Sequence, residues 1–179
     1  MKSPAFVIMS VPENSPKSNC GSPSMSGTFG TGRGAAPIFT NPDGLFRQTI
    51  CHPYAWALQY AHGIVLDLAV ESETYEVARL GQVPYLDVAA THDPEKGLTT
   101  LLILNRDLAK ARDLEVVWRE AAPSRVVTCQ VLTGSDLKAF NSFEAPNRVA
   151  PQALEAPKPG ARMTFQVPPR SYVVAHLAS

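Results

Sequence analysis

Residues 113–133 read DLEVVWREAAPSRVVTCQVLT, two runs of alternating side chains separated by a turn that contains Pro123. In the first run Leu114 and Val116 share one face of an extended chain, and in the second Cys129 and Val131 do the same. Alternation with a period of two is typical of a strand that buries one face. The two runs therefore predict two β-strands joined by a short turn.

The same pattern extends in both directions along the chain. Strands are predicted near residues 64–70, 72–78, 84–92, 98–106, 113–121, 124–133, 162–167 and 171–177. Residues 98–104 are almost all apolar or threonine, as expected of a central strand that is covered on both faces. Short strands with proline- and glycine-containing turns about every ten residues indicate an all-β fold, an antiparallel β-sandwich.

A short helix is predicted before the first of these strands. Pro53 stands where a helix tolerates proline best, in the first turn, and Gly63 ends the segment. The apolar stripe falls at i, i+3, i+4 and i+7, at Tyr54, Ala57, Leu58 and Ala61. Trp56 and Tyr60 lie beside the stripe. Upstream of the helix, residues 40–44 contain an Asn-Pro-Asp-Gly cluster that predicts a turn.

Two segments do not show strand or helix periodicity. Residues 1–34 are rich in serine, glycine and proline, a composition that buries too little apolar surface to offset the entropy of ordering the backbone. We expect this segment to be disordered. Residues 137–162 contain four prolines and no sustained alternation, and we interpret them as an ordered loop.

Composition excludes several classes of partner. Sixteen basic and sixteen acidic residues cancel among the 179, and no run of like charge attracts nucleic acid or an anionic membrane. No apolar stretch reaches the length of a membrane span, and Ala5–Met9 is too short for a secretory signal, so we expect a cytoplasmic protein. Cys20, Cys51 and Cys129 are widely spaced, which favours reduced thiols over a disulfide framework.

A series of short motifs, in a fixed order over most of the chain, adds a family resemblance. The motifs are Ala36-Pro37-Ile38-Phe39-Thr40, Arg47-Gln48-Thr49-Ile50, Val83-Pro84-Tyr85-Leu86-Asp87-Val88-Ala89-Ala90, Asn105-Arg106, Asp136-Leu137-Lys138-Ala139 with Asn141, and Pro146-Asn147-Arg148-Val149 with Pro151. Together they resemble the C-terminal end of the α-L-arabinofuranosidases of glycoside hydrolase family 51. The resemblance implies a jelly-roll-like sandwich and retaining hydrolysis of terminal α-L-arabinofuranosyl groups from arabinan, arabinoxylan or arabino-oligosaccharides. It further implies no cofactor and a homo-oligomeric full enzyme.

The resemblance also implies how the chain is organised. Residues 35–62 correspond to the last turn and helix of a (β/α)8 barrel, and residues 63–179 to the C-terminal sandwich. Residues 1–34 match nothing in the family, and we interpret them as disordered or as a misassigned start. In the family the beginning of the intact chain adds strand structure to the sandwich. We therefore expect an unpaired edge here, with poor solubility or self-association.

Catalysis requires two carboxyl groups about 5 Å apart on rigid elements. In the family both are glutamates of the barrel, upstream of everything matched here, so we name no catalytic, substrate-binding or metal-binding residue. We expect a chain that lacks the catalytic barrel to be inactive. Glu71, Glu73 and Glu76 cluster in sequence, but a solvated strand face explains them better than a substitute catalytic pair.

Other candidate groups also have ordinary structural explanations. Four histidines, His52, His62, His92 and His176, are scattered singly, which does not suit a metal site. Cys51-His52 before the helix could line the sugar-facing rim of the complete enzyme, but capping or packing explains it better. Phe46 stands where the family usually has a tryptophan, so an aromatic sugar contact stays open. Residues 30–34, GTGRG, resemble a phosphate-binding loop only superficially, because neither a strand nor a helix flanks them.

Aromatic and amide side chains of the strands and loops complete the candidates. Tyr85, Trp118 and Tyr172 could stack on sugars, but their apolar neighbours favour burial. Asn105-Arg106 and Asn147-Arg148 are expected to tie loops through side-chain hydrogen bonds to the backbone, or to support an interface. Two alternatives to the fragment interpretation stay open: a free-standing carbohydrate-binding module, and a structural or oligomerisation domain.

Overall fold

The computed structural model describes residues 5–10, 36–119 and 121–179. They form fourteen strands and one helix. In chain order these are β1 (Ala5–Ser10), β2 (Ile38–Asn41), β3 (Gly44–Arg47), α1 (Cys51–Tyr60), β4 (Ile64–Val65), β5 (Asp67–Glu71), β6 (Thr74–Val77), β7 (Gly81–Pro84), β8 (Leu86–Asp93), β9 (Leu98–Asn105), β10 (Arg112–Trp118), β11 (Arg125–Leu132), β12 (Gln152–Ala153), β13 (Arg162–Val167) and β14 (Ser171–Ala178).

Two sheets pack face to face as a β-sandwich. One has four strands in the order β13-β10-β1-β5, and the other has six in the order β12-β11-β14-β9-β8-β4. Side chains from both sheets meet in one apolar core, including Leu101 and Val173 from the larger sheet and Leu114, Val116 and Phe165 from the smaller. The hairpins β2–β3 and β6–β7 form separate two-stranded sheets. The all-β sandwich predicted from the alternation is confirmed.

Most predicted strands agree with the observed ones because their alternation matches burial. The strand predicted at residues 64–70 is instead two strands, β4 in the larger sheet and β5 in the smaller. Along β13 the pattern of exposed and buried residues alternates strictly, with Met163, Phe165 and Val167 inside. In β9, Thr99 and Thr100 are buried together with Leu101, as expected of a strand covered on both sides. Residues 72–78 form the shorter strand β6, and the long interval after Leu137 contains only the two-residue strand β12.

β1 overturns part of the expectation for residues 1–34. Residues 5–10 lie within the smaller sheet, where they pair in parallel with β10 and antiparallel with β5. Val7 and Met9 are buried in the core, which offsets the cost of ordering this short segment. The expected unpaired edge is wrong at this place, because β1 fills it. The rest of the segment predicted to be disordered, residues 1–4 and 11–34, lies outside the described residues.

α1 packs on the larger sheet through Trp56, which lies beside the predicted apolar stripe. Trp56 is its buried residue, with 4% of its surface exposed, whereas Tyr54 and Leu58 of the predicted stripe are 53% and 43% exposed. Apolar residues surround this helix, so periodicity alone does not identify the inward side. The part of the chain that the structure describes contains no helix with the length and apolarity of a membrane span.

Candidate functional site

The inner side of α1 is held to the sandwich by two ring contacts. Trp56 stacks on Tyr172 of β14, with ring centroids 6.0 Å apart and ring planes 12° from parallel. Tyr60 lies over His176 of the same strand at 5.0 Å. Both partners point from one face of β14, because they are four residues apart in a strand. The helix is therefore fixed along the strand at two points, about one helical turn apart on α1.

Two hydrogen bonds of Thr100 connect the last residue of α1 with strand β14. The Thr100 hydroxyl donates to the Tyr60 carbonyl at 2.6 Å, and its oxygen also lies 2.8 Å from Nδ1 of His176. A hydroxyl has one proton, and here the carbonyl takes it, so Nδ1 of His176 must be the donor to the Thr100 oxygen. Burial lowers the pKa of His176, and the nearby His62 lowers it further. His176 is thus held neutral, with its proton on Nδ1.

Before α1, the β2–β3 hairpin is tied to the long loop by Asn141. The buried amide of Asn141 donates to the Arg47 carbonyl at 2.8 Å and to the Val149 carbonyl at 2.9 Å, and its oxygen accepts from the Val149 amide at 2.8 Å. Phe46 is buried between Phe39, stacked at 5.2 Å, and Phe143, edge-on at 4.7 Å. Phe46 therefore offers no open ring face to a sugar, and it serves to pack the hairpin against the loop.

His52 lies beside this junction. A hydrogen bond joins its ring to the Val149 backbone, while burial, followed by the charge of Arg47, lowers its pKa. Its Nε2 is buried and has no hydrogen-bond partner among the described residues. Cys51 is a half-exposed free thiol. The packing interpretation of Cys51-His52 agrees with these surroundings.

The outer side of α1 carries an exposed apolar line. Ile50, Tyr54 and Leu58 follow one another at intervals of four, so they lie along one side of the helix. Each exposes more than two fifths of its surface. We call these three residues the outer line of α1. Contiguous exposed apolar patches are a common feature of interaction surfaces.

On the opposite sheet, Arg112 joins two carboxylates. Its guanidinium bonds Asp107 through Nε at 2.9 Å and Nη2 at 2.6 Å, and pairs with Glu73 through Nη1. The same group lies 4.0 Å over the ring of Tyr85. Burial lowers the pKa of Arg112, but the hydrogen bonds and charges of Glu73 and Asp107 outweigh it, and the net pKa is raised. We call Glu73, Arg112 and Asp107 the ion triad.

Glu73 and Arg112 of the ion triad line a cavity of about 770 Å³, together with residues at the ends of β1, β5 and β10. Glu71 and Glu73, two of the clustered glutamates, both reach this cavity, whereas Glu76 lies on β6 and accepts a hydrogen bond from Gln82. A retaining glycosidase needs one protonated and one free carboxyl group. Because Glu73 is bound to a guanidinium, the cavity presents a structural ion pair instead of an acid/base pair.

The remaining aromatic candidates have their ring faces occupied. Arg112 lies over the Tyr85 ring, and the ring centroid of Tyr75 is 4.7 Å away. Tyr172 stacks on Trp56, and Trp118 packs against the core with its indole nitrogen buried. These positions agree with the predicted packing role and leave the carbohydrate-binding alternative without an open aromatic platform at these three residues.

Of the two Asn-Arg pairs, one ties loops as predicted. Asn105 donates to the carbonyls of Lys110, Val167 and Pro168 at 3.2, 3.0 and 2.9 Å. Arg106 donates to the Pro84 carbonyl at 3.2 Å and pairs with Asp87 at 2.6 Å. Asn147 and Arg148 are exposed, and Asn141 ties their loop instead.

The histidines and cysteines do not gather into a metal-binding group among the described residues. His92 pairs with Thr99 at 2.8 Å, while His62 lies 3.2 Å from the Gln59 carbonyl and near His176. Within the described ranges, no group of three or more His, Cys, Asp or Glu side chains could hold a metal ion. Burial raises the pKa of the free thiol Cys129 to about 11. Cys20 and the GTGRG segment lie outside the described residues.

Sequence reasoning did not identify the ion triad. The turn that starts it is visible in the sequence, because Asp107 accepts hydrogen bonds from the Ala109 and Lys110 amides, as aspartate does in turns. The third member, Glu73, lies 39 residues before Arg112, and no local pattern links the two.

Comparisons with known proteins agree in one family. The model of the family "Alpha-L-arabinofuranosidase C-terminal domain" matches residues 31–171. An intracellular exo-α-(1→5)-L-arabinofuranosidase of Streptomyces lividans is 32% identical over 76% of this chain and 21% of its own length. An exo-α-(1→6)-L-arabinofuranosidase of Bifidobacterium longum is 32% identical over 79% of this chain and 28% of its own.

A solved structure gives the same result. A family 51 α-L-arabinofuranosidase from Bifidobacterium longum superposes with a TM-score of 0.73 at 29% identity, over 79% of this chain and 28% of that one. The chain thus spans between a fifth and a third of the length of the relatives it matches.

Proposed function

This chain belongs to the α-L-arabinofuranosidase C-terminal domain family, and we propose that it serves an intracellular enzyme that removes terminal α-L-arabinofuranosyl groups. The observation that supports this most strongly is the match over residues 31–171, which takes in the hairpin, α1 and most of the sandwich. The chain is the C-terminal domain of such an enzyme. Its substrates are arabinan, arabinoxylan and the oligosaccharides derived from them, as part of L-arabinose metabolism.

The relatives support the substrate class at the level of the sugar. The Streptomyces relative is named for the (1→5) linkage and the Bifidobacterium relative for the (1→6) linkage. What these two names share is release of L-arabinofuranose from the end of a chain. We extend that shared chemistry to the enzyme that contains this domain, and two of the relatives' names, which include the word intracellular, support the compartment.

The two carboxyl groups of the reaction are proposed to come from a (β/α)8 barrel outside the matched segment. Retention needs a nucleophile and an acid/base about 5 Å apart, on strands rigid enough to hold that distance. In the cavity beside Arg112, Glu73 is committed to an ion pair. The sandwich therefore acts as a companion body that positions and stabilises the catalytic part, and no cofactor is required.

Residues 35–62 are proposed to form the contact with that barrel, and residues 63–179 the sandwich itself. α1 has its inner side fixed on β14, so its outer line of Ile50, Tyr54 and Leu58 is free to pack against barrel helices. Fully burying an exposed leucine or isoleucine side chain contributes roughly 1.5–3 kcal/mol, and these side chains, which are already partly covered, gain a part of that. Three such side chains in a row give a contact that is sensitive to a single charge. We further propose that the full enzyme is a homo-oligomer.

Reconstitution tests this function. The purified chain is mixed with a family 51 barrel polypeptide that lacks its C-terminal domain, and release of the aryl group from an aryl α-L-arabinofuranoside is followed. We expect turnover from the mixture well above that of the barrel polypeptide alone. Leu58→Asp should abolish the gain, because it places a charge in the apolar contact.

Leu80→Asp is the matched control, since Leu80 is also exposed but lies in the turn between β6 and β7. It should reconstitute as well as the unchanged chain. Equal loss with both variants, or no gain from the unchanged chain, would count against a barrel contact through α1.

A further inference from the structure

A cavity opens at the end of the sandwich where β5 ends and β10 begins. Its volume is about 770 Å³, within the range of about 300–1,000 Å³ that is usual for small-molecule sites. The apolar side chains of Ala5, Leu86 and Ala111 form part of its wall, and charged and hydroxyl-bearing side chains form the rest. This size and this mixed wall suit a small polar molecule.

One side of the cavity is fixed by contacts within the chain. The guanidinium of Arg112 is bound to Glu73 and Asp107, so its position is set before any ligand arrives. The Ser72 hydroxyl donates to the Glu73 carbonyl at 3.1 Å and accepts from the Leu86 amide at 3.1 Å, so both of its roles are filled. A wall that is already ordered favours affinity, because binding does not have to organise it.

Four other side chains of the cavity have unused hydrogen-bonding capacity. Glu71, Lys110, Asp113 and Thr164 are exposed, and their side chains make no hydrogen bond or ion pair with another residue of the part of the chain that the structure describes. The two carboxylates only accept, the ammonium only donates, and the hydroxyl does both. A ligand can therefore find donors and acceptors here without breaking a contact between described residues.

The two free carboxylates lie on either side of β1. Because β10 and β5 flank β1 in the smaller sheet, the backbones of Asp113 and Glu71 are about 10 Å apart, twice the spacing of neighbouring strands. Both side chains point away from the core, since the adjacent Leu114 and Val70 point into it. A ligand that contacts both carboxylates lies across the start of β1.

The charges of the cavity narrow the class of ligand. Three carboxylates, those of Glu71, Glu73 and Asp113, line it against the two cations Lys110 and Arg112, which disfavours a compact anion. A neutral molecule with several neighbouring hydroxyl groups fits best, because each hydroxyl can donate to a carboxylate or accept from the ammonium. The apolar part of the wall can then receive the C–H groups of its ring. These are the properties of a sugar.

We propose that the cavity binds a neutral sugar, whose hydroxyl groups donate to Glu71 and Asp113 and accept from Lys110. The ligand is an arabinose-containing oligosaccharide. This choice of sugar rests on the proposed function, whereas the binding of a sugar does not. The domain then contacts the substrate chain in addition to supporting the barrel.

Titration of the purified full chain with arabinotriose tests the site. The amide chemical shifts of the isotope-labelled chain are followed by NMR, and we expect saturable changes at the cavity residues with a Kd on the order of millimolar. Glu71→Gln and Asp113→Asn should each weaken binding about 5- to 10-fold, because each replaces a charged acceptor by a neutral one. Both side chains are exposed, so the urea unfolding midpoints of the two variants should stay unchanged.

Glu155→Gln is the matched control for these variants. Glu155 is also an exposed glutamate, but it does not line the cavity, and its variant should bind arabinotriose as tightly as the unchanged chain. The absence of saturable shifts in the unchanged chain overturns the proposal. Binding that persists undiminished in both Glu71→Gln and Asp113→Asn places the sugar elsewhere and overturns it as well.

The same titration with xylotriose, putrescine and inorganic phosphate separates the classes of ligand. Xylotriose that binds as tightly as arabinotriose, with the same losses in the variants, supports the sugar site and overturns the choice of arabinose. Putrescine or phosphate that saturates the cavity residues while arabinotriose does not would make this an ion site and overturn the proposal. Because binding is measured on this chain alone, a failed reconstitution with a barrel polypeptide leaves the result unaffected.

Discussion

At the scale of single residues, the sandwich depends on polar side chains that have several hydrogen-bond or ionic partners each. Asn105 satisfies three carbonyls at the ends of strands, and Asn141 fixes the hairpin to the loop. Arg112 binds two carboxylates and covers a tyrosine ring. Buried groups with this many partners are costly to change, because each loss leaves several donors or acceptors unpaired.

Arg112→Lys tests the ion triad. Lysine keeps the charge but cannot present a planar fork to Asp107 and Glu73 while lying on the Tyr85 ring. We expect the free energy of unfolding to fall by about 1–3 kcal/mol, measured by urea unfolding. The Arg112 side chain is only 16% exposed, so solvent screens the triad little.

Arg162→Lys is the matched control for the ion triad. Arg162 also pairs with a carboxylate, that of Glu115, but its side chain is 71% exposed. A change within about 0.5 kcal/mol is expected. Equal effects of the two substitutions would show that Arg112 acts as an ordinary surface cation.

His176 makes the docking of α1 depend on pH. Its pKa in the folded chain is lowered from the ordinary 6.5 by burial and by His62. Above pH 6.5 the histidine is neutral in both the folded and the unfolded chain, and it takes nothing from the free energy of unfolding. As the pH falls below 6.5, the unfolded chain takes up a proton first, so stability is lost progressively until the folded pKa is passed. The lowered pKa of His52 acts in the same direction.

Urea unfolding at about pH 8 and about pH 5, followed by tryptophan fluorescence, measures this dependence. His176→Gln should reduce the loss of stability at the lower pH, and His52 should account for part of what is left. The lowered pKa of Asp107 contributes only at more acidic values, because it starts from an ordinary value of 3.8. An unchanged loss in His176→Gln would exclude His176 as its source.

At the scale of elements, the alternation of apolar and polar residues predicts strands whose burial follows that alternation. β9, β10 and β13 could be predicted from the sequence. Each buries either every second side chain or several consecutive side chains, and the observed bounds lie within a few residues of the predicted ones. β1 could not be predicted in this way. Its partner Val116 lies more than one hundred residues beyond Val7, and the serine, glycine and proline around it predict disorder.

The sequence predicts the apolar stripe of α1 but not which side of the helix packs on the sandwich. Tyr54 and Leu58 are as apolar as Trp56, so only the position of Tyr172 on β14 decides which side turns inward. The same limit applies to the ion triad. Asp107 can be placed in a turn from sequence, but its pairing through Arg112 with Glu73 depends on tertiary contacts.

The connection from α1 to β4 depends on Gly63. Its φ is +85°, and an added Cβ would lie 2.1 Å from the His92 carbonyl oxygen. Gly63→Ala should therefore lower the free energy of unfolding by about 2–5 kcal/mol, from the left-handed backbone and the clash together. Circular dichroism during urea unfolding measures it.

Gly81→Ala serves as the control for this connection. Gly81 has a similar φ of +73° but open space around the position of a Cβ. Only the backbone cost of about 1–2 kcal/mol is expected there. If Gly63→Ala were no worse than Gly81→Ala, the close approach of α1's end to β8 would be refuted.

At the scale of the whole molecule, the sandwich carries the outer line of α1 on one side and the ion triad on the other, and we propose that it supports a catalytic barrel. The family match and the length of the relatives make this chain one domain of an arabinofuranosidase. We propose that the carboxyl groups of the reaction are supplied by a barrel.

Turnover of an aryl α-L-arabinofuranoside by the purified chain, with host glycosidases removed, tests this account most directly. We predict no release of the aryl group above the uncatalysed background. Turnover that copurifies with the chain and is lost on Glu71→Gln or Glu73→Gln would contradict the account, because it would place a working carboxyl pair in the cavity beside Arg112.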